Sequence, residues 1–235
     1  MRSINLSAHV LSDAMWSRVF EFSAARYLDG GTELFRTLGN LDALRDKAQY
    51  KTGSISTATQ WALYSLAYQW QPQVVLEVGT YIGKSTIAMA LGADAARAEC
   101  EVHTCDASNT FDLPAVSKTR VVQYPGSPST QMLTEMVEDG FAGKVQLMHI
   151  DGRLGKDDIG LMSQLAASEA IVALDDFEGI EKGVANLFNI RAAKAFADHF
   201  AFYPPSDSLL RSLGFRDRCT TCLLAPRDLI RFTAQ

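Results

Sequence analysis

Apolar residues in the first 71 positions recur at three- and four-residue steps, the spacing of one helix face. Val10, Leu11, Ala14, Met15, Val19 and Phe22 make one such stripe, which predicts a helix ended by Gly30-Gly31. Leu34, Phe35 and Leu38 make a second, opened near Thr32 and closed by Gly39-Asn40. A third starts near Ser56 or Thr57 and carries Ala58, Trp61, Ala62, Leu66 and Tyr68. It stops at Gln71-Pro72, because proline lacks an N–H and its ring clashes within a helix. No strand pattern interrupts these segments, so residues 1–71 read as a helical N-terminal cap or oligomerisation segment.

After Pro72 the texture changes to short apolar runs separated by helical stretches. The runs predict strands at Val74–Leu76, Val102–Cys105, Arg120–Tyr124, Val145–Ile150, Ile171–Leu174, Phe200–Tyr203 and Cys219–Ala225. Helices are expected through Ile87, Met89 and Leu91, from Ser129 to Glu138, and from about Gly179 to Ala197. Strands that alternate with crossover helices build an α/β fold. Residues 72–235 are therefore expected to form a doubly wound, mostly parallel, seven-stranded Rossmann-like sheet, with residues 1–71 as its cap.

Composition narrows the class without naming the chemistry. A chain of 235 residues, 47% hydrophobic and 21% charged, fits one elaborated globular domain and excludes disordered and collagen-like chains. The net charge is −5, and no Lys/Arg run is long enough to displace counterions from nucleic acid. Nowhere do about 18 apolar residues run together, so no membrane partner is expected. Four cysteines are too few for a disulfide framework and suggest a cytoplasmic protein. Cys219 and Cys222 have the spacing of half a zinc site, but on a strand they point to opposite faces.

In an open α/β sheet, ligands bind beyond the carboxyl ends of the strands. The first strand is followed by Glu77-Val78-Gly79-Thr80-Tyr81-Ile82-Gly83-Lys84-Ser85-Thr86. Its two glycines allow a tight turn, and Ser85 and Thr86 stand at a helix start that favours an anion. A phosphate-binding loop needs G-x-x-x-x-G-K-[ST], and this loop is one residue short, although Asp175-Asp176 looks like the acidic pair that would accompany it. A dinucleotide loop needs a glycine where Tyr81 stands.

Glu77-x-Gly79-x-x-x-Gly83-x-Ser85-Thr86 resembles motif I of class I S-adenosylmethionine-dependent methyltransferases, in the variant of the catechol and caffeoyl-CoA O-methyltransferase group. The resemblance covers about residues 53 to 226. It implies a methyltransferase acting on a small-molecule acceptor at a hydroxyl oxygen; a homo-oligomer, a dimer formed through the N-terminal helices, is also expected. It places Glu77, Gly79, Thr80, Tyr81, Gly83 and Ser85 around the methionine end of S-adenosylmethionine. It also places Asp106 and Ala107 at the ribose, Ser127 beside the adenine and Asp151 at the transfer end. The other classes considered are an S-adenosylmethionine-binding protein without methyl transfer and a nucleotide hydrolase dependent on Lys84.

The fourth strand ends at Asp151 and the fifth at Asp175-Asp176, so three carboxylates meet at one edge. Like charges raise one another's pKa, and a divalent cation or basic residues must balance them. The resemblance to the cation-dependent members implies a metal, Mg²⁺ or a related ion, on Asp151, Asp175 and Asp176. The alternative is that these acids cap the next helix or bond backbone and Arg153. Many relatives carry a histidine base where this chain has Arg153, which cannot take a proton at neutral pH. Asp151, Arg153 and Lys156 are the candidate catalytic residues. His149 is expected to point away from the site.

Overall fold

An apolar run without polar alternation should be covered on both sides, and β1 (Val74–Val78) is buried along its whole length. The computed structural model describes residues 8–20, 31–51, 53–178 and 181–226. Among these, β1 lies near the middle of one seven-stranded sheet, in the order β3-β2-β1-β4-β5-β7-β6. The other strands are β2 (Glu101–Asp106), β3 (Arg120–Pro125), β4 (Val145–Ile150), β5 (Ala166–Leu174), β6 (His199–Phe202) and β7 (Cys222–Pro226). The first five pair in parallel, and β7 pairs antiparallel with both β5 and β6. The expected doubly wound sheet is present, with an antiparallel hairpin at one edge.

Strands β1, β2 and β3 step outward in one direction, after which the chain returns to lay β4 on the other side of β1. This reversal opens a crevice beyond the strand ends, between the loops that follow β1 and β4.

Helices cover both faces. α1 (Ala8–Val19), α2 (Thr32–Asn40), α3 (Thr57–Trp70) and α4 (Lys84–Ala96) contribute to one apolar cluster. α5 (Ser129–Glu138), α6 (Lys156–Leu165) and α7 (Lys182–Ala192) contribute to the other. A 3-10 turn over Leu41–Asp46 follows α2, and a short helix α8 (Asp207–Ser212) precedes β7. Ser56 starts α3 as the sequence predicts, its hydroxyl accepting from the Thr59 N–H at 3.0 Å. Gln71 ends α3 in the left-handed region.

The N-terminal helices are built into this body. α3 packs along α4, and Trp61 is buried with Tyr64 stacked on it at 5.2 Å. α1 is sewn to the loop after β6: Trp16 Nε1 donates to the Tyr203 carbonyl at 2.7 Å, and Asp13 accepts from the Ser206 N–H and hydroxyl. Phe22, Gly30 and Gly179, which the sequence places at helix boundaries, lie outside the described residues.

Several elements differ from the sequence expectation, among them β5, which begins at Ala166 rather than Ile171. α6 was not foreseen: Ile159, Met162 and Leu165 make its buried stripe, but β5 begins at the very next residue, with no glycine or proline to mark the change. α7 ends at Ala192, before the expected Ala197. β7 begins at Cys222 and leaves Cys219 ahead of the strand. The two thiols are free and buried in clusters on opposite faces of the sheet. Burial pushes Cys219 up to about 11 and Cys222 up to about 12, so neither is a thiolate at neutral pH. No helix among the described residues is long and apolar enough to cross a membrane.

Candidate active site

The loop after β1 depends on a residue without a side chain. Gly79 has φ +106°, and a Cβ there would lie 2.9 Å from the Asp151 carbonyl carbon. The Gly79 and Thr80 N–H groups both donate to the Cys105 carbonyl, which anchors the loop to the end of β2. Tyr81 also has positive φ, and its N–H donates to Asp106 Oδ2 at 2.6 Å. α4 then starts at Lys84 with Ser85 and Thr86 in its first turn, and Ser85 lines a small cavity beside Gly79 and Asp151 rather than the crevice itself.

Glu77 is placed otherwise than expected, for a reason of register. It lies opposite Thr104 on β2 and His149 on β4, so the three side chains share one face of the sheet. The fully buried Glu77 accepts from the hydroxyls of Thr86 and Thr104 and pairs with His149 Nδ1 at 3.0 Å. Its side chain does not line the crevice. Thr80 is likewise turned inward, its hydroxyl 2.6 Å from that of Thr104.

His149 points away from the crevice, as predicted, and its Nε2 lies 3.9 Å from Asp175 Oδ2, too long for a hydrogen bond but close enough for an ion pair. Burial would lower its pKa, but Asp175 and Glu77 on either side push it up to about 10. Burial would raise Asp175, but the imidazolium holds it below the usual carboxylate range. A buried charge line of Glu77, His149 and Asp175 thus runs beneath the crevice floor.

The crevice itself has a volume of about 720 Å³, within the range of small-molecule sites. Gly79, Tyr81, Asp106, Ala107 and Ser127 line it, and Asp151, Arg153, Asp175, Asp176 and Lys182 lie along the same wall. Tyr50 and residues 53–56 close one side, so the connection into α3 supplies part of the wall. Trp16, Trp61, Tyr64 and Tyr68 do not line it. Asp106 Oδ1 accepts from the Ser108 N–H and hydroxyl and from the Asn109 N–H, which folds the loop after β2 around its carboxylate. Its Oδ2 takes one N–H, that of Tyr81, and a carboxylate oxygen can accept a second hydrogen bond.

At the ends of β4 and β5 the balancing cation is Lys182, the first residue of α7. Its ammonium donates to Asp151 Oδ1 at 2.7 Å, the Asp151 carbonyl at 2.8 Å and Asp176 Oδ2 at 2.8 Å. Gly183 makes this possible, because a Cβ there would lie 2.3 Å from the Asp175 carbonyl oxygen. Asp175 faces the other way, accepting from Thr220 and Thr221 as well as pairing with His149. Burial and the Asp175 charge push Asp151 up to about 6 against the opposing pull of His149 and Lys182. Burial would lower Lys182, but Asp151 and Asp176 raise it, so it stays an ammonium.

This donor set does not fit a divalent cation. Three oxygens converge on a nitrogen that already carries the charge, and Asp175 is engaged elsewhere. Among the described residues no group of His, Cys, Asp or Glu side chains converges as a metal site.

No protein-family model and no curated protein sequence matches the chain. Solved structures do. The SAH-bound methyltransferase PaMTH1 of Podospora anserina aligns over 97% of this chain and 100% of its own, at 13% identity and TM-score 0.54. An O-methyltransferase of Bacillus cereus in complex with SAH aligns over 83% and 90%, at 15% identity and TM-score 0.55. The chain has the methyltransferase fold. The O-methyltransferase TomG of Streptomyces achromogenes, in complex with SAM, aligns over 80% and 88%, at 14% identity and TM-score 0.53. At these identities the likeness is one of fold.

Within the methyltransferase fold the remaining candidate residues separate. Arg153 is exposed and lines the crevice, whereas Lys156 is exposed at the start of α6 and does not line it. Lys84 turns away to pair with Asp42 at 2.9 Å. A phosphate-binding lysine would have to leave that pair, so Lys84→Ala is expected to leave ligand affinity unchanged within about twofold. Calorimetry with SAH and with Mg-ATP checks this, and Mg-ATP binding lost in the variant would contradict it. Lys182 escaped the sequence reading. The acidic cluster announced that a counter-charge was needed, but the nearer Arg153 was the candidate, and Lys182 reads as a solvated helix start.

Proposed function

We propose that the protein transfers a methyl group from S-adenosylmethionine to a hydroxyl oxygen of a small molecule. The observation that carries this reading is one continuous crevice at the switch point, lined by both Asp106 and Asp151. The fold shared with SAM- and SAH-bound O-methyltransferases supports it. S-adenosylmethionine, when bound, supplies a methyl group activated on a positively charged sulfur.

The chain's residues would then divide the work. Asp106 accepts from ribose hydroxyls, Ser127 and Ala107 border the base and ribose, and the first turn of α4 with Ser85 faces the amino-acid carboxylate. Gly79 keeps the backbone close to the ligand. Asp151 lies where the acceptor meets the methyl group, and its Oδ2 takes the hydroxyl proton as the new C–O bond forms. The bound donor would supply the methyl group and leave as a neutral thioether, its sulfur keeping the electron pair of the C–S bond. Holding acceptor and donor in line supplies most of the acceleration. Arg153 at the crevice mouth orients an acceptor that carries negative charge. None of these roles uses a divalent cation.

Calorimetry with SAH is expected to show one binding site. Asp106→Ala removes an acceptor of charge-assisted hydrogen bonds and is expected to weaken binding by about 10–100-fold. Absence of SAH and S-adenosylmethionine binding in the wild-type protein would overturn the proposal.

A further inference from the structure

We infer that the Lys182 ammonium is a built-in substitute for a divalent cation between Asp151 and Asp176, which both frees this site from metal and shuts metal out. An ammonium has three donors, and here three oxygens at 2.7–2.8 Å take them all. Mg²⁺ demands six ligands at about 2.0–2.1 Å and Ca²⁺ six to eight at about 2.3–2.6 Å. The oxygens around Lys182 are too few and stand too far from their common centre for either ion. The charge requirement is also met, since one ammonium bridges two carboxylates that would otherwise repel.

Lys182 is held in place rather than swung in from the surface. Its side chain is about one-quarter exposed, and Gly183 brings the start of α7 against the backbone of β5's end. The Gly183 N–H donates to the Asp176 carbonyl at 3.3 Å, tying the same two segments. An entering cation would have to expel the ammonium, leaving it beside a divalent charge. Asp175 offers no alternative ligand, because Thr220, Thr221 and His149 engage it.

One consequence concerns the acceptor, and it rests on the methyl-transfer reading. A metal would select acceptors with two adjacent oxygens able to chelate it. With Lys182 saturated by protein oxygens, chelation has no role, and the acceptor class widens to molecules with a lone hydroxyl.

The test is cation binding, which needs neither S-adenosylmethionine nor an acceptor and so can fail independently of that reading. Full-length protein treated with EDTA is titrated with MnCl₂, and free Mn²⁺ is followed by electron paramagnetic resonance. Wild-type protein is expected to show no stoichiometric site at submillimolar Mn²⁺. Lys182→Met, which keeps the aliphatic stem and removes the charge, is expected to gain one site, at least about tenfold tighter than any wild-type binding. Adding Asp176→Asn to that variant is expected to abolish the site. A stoichiometric wild-type site that Asp151→Asn removes would overturn the inference, and so would a folded Lys182→Met protein that gains nothing. Should Lys182→Met fail to fold by circular dichroism, Lys182→Gln and the wild-type titration decide by the same outcomes.

Discussion

Replacing His149 with glutamine is expected to cost about 3–5 kcal/mol of folding stability, the scale for stripping one partner from a buried charge group. The imidazole is fully buried between Glu77 and Asp175, so its loss leaves two carboxyl groups without their shared counter-charge. Folded domains have only about 5–15 kcal/mol in hand, and the variant should unfold at much lower denaturant concentration. The pH dependence carries the same signature. The folded-state pKa of His149 is raised from 6.5 to about 10. Its contribution is therefore complete below about pH 6.5 and is lost as the pH rises through about 10. Urea titrations of wild type and His149→Gln across that interval should converge at alkaline pH. A gap between them that stays constant would show that the imidazole is not charged in the folded protein.

The second large effect falls on turnover. Asp151→Asn keeps the shape of the side chain but removes the proton acceptor, and turnover is expected to drop by about 10²–10⁴-fold. SAH affinity should change far less, which separates the chemical role from ligand binding. Because Asp151 is pushed up to about 6, wild-type kcat/KM should be level near neutrality. It should then fall about tenfold per pH unit below that value as the base becomes protonated. SAH release with any acceptor the wild-type protein turns over supplies the readout. An Asp151→Asn enzyme with an unchanged rate would assign the proton to another group.

Much of the scaffold was legible because its strands are buried on both faces. Val74–Val78 and Val145–Ile150 read as nearly continuous apolar runs, and Ser56 and Gln71-Pro72 punctuate α3 unmistakably. α6 was illegible for a local reason: no breaker separates Leu165 from Ala166, so a helical stripe passes into a strand without a seam. At the crevice, strand-end position was legible, and Gly79, Asp106, Ser127 and Asp151 line the cavity. The burial of the Glu77 side chain was not, because a motif gives its place along the chain but not the register that puts Thr104 and His149 at its sides. Lys182 was hidden for the complementary reason, since its partners are close in space and about thirty residues away in sequence for Asp151.

The contact between Gly79 and the Asp151 backbone has a mechanical consequence. Two loops that touch through main-chain atoms cannot slide past one another, and Gly152 repeats the constraint by packing against Val78. The turn that would cradle the methyl donor and the residue that would take the acceptor's proton therefore form one rigid jig. Their spacing is set by the sheet, so an incoming acceptor has to do all the fitting.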